Sequence, residues 1–210
     1  MSTAVVRQCV RKACSFRFPV KDDIVLAEKC PKCGALTSIV AHFQADIDLS
    51  ERPSTPPSHL EAFLDNIRSV FNVGSIFRSA DGCGIGRIHL GGMTPSPDHP
   101  KMKKTALGAG DSVAWEQHWD GVEAVRSLND KGFQILGLEY TGRSIPLFDL
   151  KIPDGSPKLL IVGNENYGID PGILEQCQHI VHIPMSGMKG SLNVANAFSI
   201  AAYWMTFGPR

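Results

Sequence analysis

Three shortages narrow what this chain can be. It has no surplus charge of either sign, no apolar run of membrane-spanning length, and only two cysteines beyond residue 33. Basic and acidic residues both number 21, so bulk charge offers no sign of a polyanionic partner. A bilayer crossing needs about 20 consecutive apolar residues; no stretch approaches that, and no membrane is expected among the partners. Arg7, Arg11 and Lys12 interrupt the opening segment too early for a secretory signal, so a soluble cytoplasmic protein is the expectation. Internal repeats are lacking too. Gly82, Gly84 and Gly86 follow a predicted helix instead of opening one, which makes a poor dinucleotide fingerprint and argues against an NAD-type oxidoreductase. What remains, 210 residues of which 43% are hydrophobic, suffices for one good domain and a small appendage.

The cysteines that do occur are crowded toward one end. Four of the six lie in the first 33 residues: Cys9 and Cys14, then Cys30 and Cys33 within Cys30-Pro31-Lys32-Cys33-Gly34. Two such pairs separated by a hairpin-length stretch suit a tetrahedral Zn²⁺ site, and the alternative of two disulfides conflicts with a reducing compartment. Phe16, Phe18 and the run Ile24-Val25-Leu26 supply strand-like stretches, so residues 1–45 read as a zinc ribbon. That segment carries seven basic residues against three acidic ones, with the two phenylalanines interleaved. It can bind RNA phosphates and stack bases, or simply pack on its neighbour. Residues 46–59, rich in proline and serine, read as a linker. Cys83 and Cys177 read as buried small residues, and His89 and His118, with the other histidines outside 179–182, show no metal-ligand spacing.

Residues 60–210 alternate strand and helix patterns. Strands are predicted over 62–64, 87–91, 133–139, 159–162 and 179–183, and helices over 72–83, 123–129, 171–177 and 193–207. Such alternation gives an α/β fold with a parallel sheet covered on both faces. The loop 92–112 carries Lys101, Lys103 and Lys104, and is either an RNA contact or a solvated surface.

Three short segments hold the polar chemistry. In the first, Val73, Ile76, Phe77 and Ala80 form a helical apolar face, Asn72 reads as the N-cap, and Arg78 lies off the buried face. Arg78 is a solvated helix arginine on the bland reading and a phosphate ligand on the other. In the second, strand 159–162 runs into Gly163-Asn164-Glu165-Asn166-Tyr167-Gly168, where Glu165 sits at a strand carboxyl end. The third is Ile183-Pro184-Met185 followed by Ser191-Leu192-Asn193, polar groups placed where a strand hands over to a helix. That helix shows one stripe of Val194, Ala197, Phe198, Ala201, Ala202 and Met205.

In this order and spacing the three segments resemble the SpoU family, also called TrmH, of RNA 2′-O-ribose methyltransferases within the SPOUT superfamily. The matching motifs are Asn72-x5-Arg78, Gly163-x-Glu165-x-x-Gly168, and Ile183-Pro184-Met185 with Ser191-Leu192-Asn193; they span roughly residues 60–207 without departure at the polar positions. The resemblance implies a parallel sheet whose C-terminal part threads a loop as a deep trefoil knot. It implies S-adenosylmethionine bound in that knot, with Gly163, Ile183 and Leu192 at cofactor-contact positions and Met185 and Gly168 nearby. It implies a tRNA or rRNA substrate and a homodimer whose active site is completed across the interface. Phe198, Tyr203, Trp204 and Phe207 on the last helix would suit that subunit contact.

Arg78 matches the arginine that the family places at the catalytic centre. A free guanidinium is protonated at physiological pH, so Arg78 is expected to anchor the phosphate beside the target ribose while a phosphate oxygen or water takes the proton. Asn72, Glu165, Ser191 and Asn193 would orient Arg78 and the ribose. A different class of function, a non-catalytic RNA-binding adaptor, would need no such set.

Overall fold

The structure, a computed structural model, describes residues 4–21, 28–43, 59–102, 109–151 and 155–209. The chain divides into two compact units, Met1–Ser54 and Thr55–Arg210. The linker expected over 46–59 lies, apart from His59, outside the described residues, as do Ile24, Val25 and Leu26.

The described residues of the first unit form an antiparallel sheet of three strands, β1 (Ala4–Cys9), β2 (Arg17–Lys21) and β3 (Thr37–His42), in the order β2-β1-β3. Its buried apolar residues among those described are only Val5, Cys9 and Cys30. So thin a core leaves the cysteine cluster as the main candidate for holding the unit together.

Among the described residues of the second unit, seven strands form one wholly parallel sheet: β4 (Leu60–Asp65), β5 (Arg87–Gly91), β6 (Ala114–His118), β7 (Gln134–Leu138), β8 (Ile145–Pro146), β9 (Lys158–Val162) and β10 (His179–His182). Their order is β6-β5-β4-β9-β7-β10-β8. The chain starts in the middle with β4, winds outward through β5 and β6, and then builds the other half. The point of reversal therefore lies between β4 and β9, where open α/β sheets bind ligands beyond the strand carboxyl ends.

Alternation along the central strands loads both faces. Ala62, Leu64, Leu160 and Val162 meet α1 (Val70–Cys83) and a later helix on one side, in a core completed by Val73, Ile76, Phe77, Ala80, Phe198, Ala201 and Ala202. Phe63, Leu159, Ile161 and Ile135 meet Val125, Leu128 and Ile173 on the other. Between α1 and the C-terminal helix lie α2 (Ala109–Ser112), α3 (Gly121–Asp130) and α4 (Pro171–Leu174). The C-terminal helix α5 (Val194–Phe207) crosses back to pack on α1, with Ser79 and Ser199 hydroxyls 2.7 Å apart at the contact.

The elements correct several expectations. Helix α1 starts two residues earlier than predicted: Ser69, not Asn72, is its cap, accepting the Asn72 N–H at 3.3 Å. Strand β6 was not expected, because Ala114-Trp115-Glu116-Gln117-His118 is a mostly polar strand at the sheet edge, paired on one side among the described residues. The stripe on α5 is offset: Ala195, Phe198, Ala201 and Ala202 are buried, while Val194 and Ala197 are half-buried. A helix that is apolar nearly all round offers several stripes of equal quality. Phe198 is core rather than subunit surface, whereas Tyr203 and Phe207 are exposed. In the loop 92–112, Met102 is buried and anchors its segment, and Lys103 and Lys104 lie outside the described residues. Among the described residues no helix is long and apolar enough to cross a membrane.

Candidate active site

At the carboxyl ends of β9, β7 and β10, three loops enclose a cleft of about 1020 Å³. Its walls come from 138–140, from 162–168, and from 182–194 with Ala197. Gly163, Gly168, Ile183, Met185, Ser191, Leu192, Asn193 and Glu165 all line it. The third sequence motif thus wraps around the second, although the two are joined by neither strand pairing nor proximity in sequence.

The glycines are there for steric reasons. A Cβ on Gly163 would collide with the backbone of Gly168 and Ile169, and Gly168 holds φ +75° with its open side against the Glu139 carboxylate. Between them the chain closes on itself: Asn164 and Gly168 exchange both backbone hydrogen bonds at 2.9 Å. Asn164 then fastens this turn to the residue just after β4, donating its side-chain amide N–H to the Asn66 carbonyl at 2.7 Å. Gly163→Ala should cost about 1–3 kcal/mol, the range for overpacking against atoms that cannot yield, read as a lower midpoint in denaturant unfolding.

The fixed turn presents Glu165 to the start of α1. Glu165 accepts the backbone N–H groups of Arg68 and Ser69, each at 3.0 Å, and the Asn72 side-chain amide at 2.9 Å. Asn72 in turn accepts from Asn193 Nδ2 at 3.0 Å, and Asn193 caps α5 through the N–H groups of Ala195 and Asn196. Because Ser69 takes the capping role, the Asn72 side chain is free for this chain of contacts. Three residues far apart in sequence thereby tie β9, α1 and α5 into one unit at the cleft's rim.

Burial pushes the Glu165 carboxyl upward, but the hydrogen bonds from Arg68, Asn72 and Ser69 outweigh it and leave the group below the usual carboxylate range. A depressed folded value means the contribution is present above the unfolded value, about 4.3, and is lost as pH falls through the folded one. The Tm advantage of the parent chain over Glu165→Gln, measured from pH 7 to 3, should therefore hold at neutral pH and shrink below about pH 4.

Two features of the cleft escaped the sequence reading. Glu139, the residue following β7, lines it with a carboxylate that accepts the Ile169 and Tyr140 N–H groups at 3.2 and 3.1 Å. His182 also lines it, bonded through Nδ1 to the Ser144 hydroxyl at 2.9 Å. A position at the end of a parallel strand was the available signal for both. Arg78 is not brought to this site within one chain. It is exposed on α1, six residues beyond Asn72 and about 9 Å further along the axis, and does not line the cleft.

In the first unit the four expected cysteines come together. Cys9 and Cys33 sulfurs are 3.5 Å apart, Cys14 and Cys30 are 3.8 Å apart, and all four fall within 4.8 Å of one another. A tetrahedral ion with metal–sulfur bonds of about 2.3 Å sets sulfurs about 3.8 Å apart, whereas a disulfide needs about 2.05 Å. The donor set and its spacing fit Zn²⁺. The Ala35 N–H hydrogen-bonds the Cys33 sulfur, the main reason that thiol is pulled down to about 7. Arg7, counted among the basic residues available to RNA, instead donates to the Thr37 hydroxyl and carbonyl at 2.8 and 3.2 Å.

Fold and site define the class: a doubly covered parallel α/β protein with a polar-rimmed ligand cleft at the strand carboxyl ends. A sequence model described as the SpoU rRNA Methylase family matches residues 59–203. The chain belongs to that family. It is 30% identical over 148 residues to the 23S rRNA (guanosine-2′-O-)-methyltransferase RlmB of Neisseria meningitidis, covering 70% of this chain and 57% of that protein. It is 29% identical over 150 residues to the tRNA (guanosine(18)-2′-O)-methyltransferase of Aquifex aeolicus, covering 69% of this chain and 67% of the relative. Among solved structures it is similar to the TrmH/SpoU tRNA modifying enzyme of A. aeolicus, with TM-score 0.64 and 27% identity over 71% of this chain and 75% of the other. The SpoU methyltransferase AviRb of Streptomyces viridochromogenes, in complex with AdoMet, superposes with TM-score 0.63 and 27% identity over 81% of this chain and 68% of that one.

Proposed function

We propose that the protein transfers a methyl group from S-adenosylmethionine to the ribose 2′-hydroxyl of a nucleotide in tRNA or rRNA, in the cytoplasm. One observation carries this reading. The Glu165–Asn72–Asn193 network sits on the rim of a cleft walled by Gly163, Ile183 and Leu192. A pure RNA-binding adaptor has no use for such a network beside a ligand-sized cleft.

When bound, the cofactor supplies an electrophilic methyl on a sulfonium. The chain's own residues do the rest. Ile183, Met185 and Leu192 give the cleft apolar walls, and Glu139 gives it a carboxylate that suits a cationic or hydroxyl-bearing ligand. The 182–194 segment, passing from β10 to α5 across the ends of β9 and β7, is proposed as the threaded part of a trefoil knot. Ser191 and Asn193 then face the incoming ribose. Arg78 is proposed to reach this site from a second copy of the chain, anchoring the phosphate next to the target ribose. Exposed Phe71, Ile200, Tyr203 and Phe207 on the same two helices offer apolar surface for that pairing. In the first unit Cys9, Cys14, Cys30 and Cys33 are proposed to hold a structural Zn²⁺, and exposed Arg11, Lys12, Arg17 and Lys32 to meet RNA phosphates beside the stacked pair Phe16 and Phe18.

Calorimetric titration with S-adenosylmethionine and with NAD separates the leading reading from an oxidoreductase; binding of the first alone is expected. Mapping of methylated riboses in total RNA, with and without an active copy, should then reveal positions that lose modification. An unchanged map would remove the proposed activity.

A further inference from the structure

On the far half of the sheet from the cleft, three parallel strands present an imidazole–carboxylate cluster that the methyl-transfer reading does not use. His89 of β5 lies opposite Glu116 of β6, and His118 follows two residues on, so all three side chains share one face. His89 is 3% exposed. Its Nε2 lies 2.8 Å from Glu61 Oε2 of β4, and its Nδ1 lies 2.9 Å from His118 Nε2. The Phe63 ring stacks against both imidazoles, at 6.3 and 6.1 Å between centroids.

We propose that His89 Nδ1, His118 Nε2 and a Glu116 carboxylate oxygen bind a divalent transition-metal ion of the zinc class, with Glu61 as the positioning residue behind His89. The chemistry follows from the tautomer. Glu61 can only accept from His89, so the His89 ring proton resides on Nε2 and the lone pair on Nδ1 points into the cluster. A carboxylate behind a histidine that ligates through its other nitrogen is the usual support for a bound metal. His118 ligates through Nε2 when its own proton sits on Nδ1, a tautomer change that releases nothing.

Distances agree. Ligand atoms about 2.05 Å from a metal lie about 2.9 Å apart at a right angle and about 3.4 Å apart in a tetrahedron. The two nitrogens are at 2.9 Å, Glu116 Oε2 is 4.0 Å from His118 Nε2, and all three donors fall within 4.8 Å of one another. Glu116 needs a small rotation to close the set. Among the described residues its other ion pair is with Arg87 at 3.4 Å, both side chains of that pair being about half exposed, an attachment worth about 0–1 kcal/mol. The His118 side chain is 20% exposed, which leaves solvent access for entry and for a water in a fourth position. Two imidazoles and one carboxylate favour zinc, nickel or copper over magnesium or calcium. A bound ion would clamp the edge strand β6 to β5 and, through Glu61, to β4.

The test uses the full chain titrated with Zn²⁺ alone, read by calorimetry and by metal content after dialysis. The expected result is two zinc equivalents per chain, one for the thiol cluster and one for this site. His118→Ala should keep one equivalent and lose the other. Glu116→Gln, at an exposed position where folding is not at stake, should weaken the second equivalent at least tenfold. Glu61→Gln should weaken it about 10–100-fold without removing a ligand. A parent chain that takes up one equivalent only, or a second equivalent that survives His118→Ala and Glu116→Gln unchanged, would overturn the assignment and leave a hydrogen-bonded relay.

Discussion

Arg78→Ala should abolish methyl transfer while leaving S-adenosylmethionine affinity almost unchanged. The residue lies outside the cleft that is proposed to hold the cofactor, so nothing in the binding pocket moves when the guanidinium is removed. In the proposed arrangement what is lost is a cation fixed beside the reacting ribose, and removal of one such preorganised donor costs about 10²–10³ in kcat. Single-turnover assays with calorimetry on the same samples separate the two effects. Equal loss of both would reject the role. A mixing experiment tests the arrangement across two copies. If Arg78 of one chain serves the Asn193 of another, inactive Arg78→Ala and Asn193→Ala chains combined in equal amounts should recover roughly a quarter of the parent activity, since half of the pairs then contain one intact site. No recovery would place the arginine and the asparagine in one chain's site.

Removal of the proposed zinc should unfold the first unit and spare the second. Strands β1, β2 and β3 bury little apolar surface among the described residues, and a sheet of this size does not hold by burial alone. Structural zinc in small thiolate modules contributes about 10–16 kcal/mol of apparent binding free energy. Hydrogen exchange at Val5, Arg7 and Ile39 amides should therefore rise by orders of magnitude in a strong chelator, with the amides of β4 and β9 unmoved. Cys14→Ser should act in the same direction. Protection in β1 that persists after chelation would show that the thiols are only neighbours.

Much of this architecture is legible in the sequence. The face Val73, Ile76, Phe77 and Ala80 predicted α1 and its buried side, since a 3.6-residue period leaves little choice in a helix with a polar opposite face. The apolar run 159–162 marked the central strand β9 for the same reason that parallel sheets are buried on both faces. Failures have equally plain causes. Asn72 looked like the cap because asparagine favours that position, but Ser69 competes for it three residues earlier and wins. Strand β6 carries glutamate, glutamine and histidine and is invisible to hydrophobic patterning. The cysteine pairs were legible from spacing, whereas the joining of Glu165, Asn72 and Asn193 depends on long-range closure that no local signal encodes. The imidazole pair was missed for a related reason: its members sit on neighbouring strands, one of them unforeseen.

Helix α5 also bears on how the protein is made. The sheet face formed by Ala62, Leu64, Leu160 and Val162 is covered only in part by α1 until Phe198, Ala201 and Ala202 arrive to complete the layer. A ribosome delivering about 5–20 residues per second exposes β4 for several seconds before that helix is synthesised. Nascent chains halted short of residue 194 should consequently be clients of chaperones, and the vulnerable interval is set by translation speed across the second unit rather than by the folding of any one element.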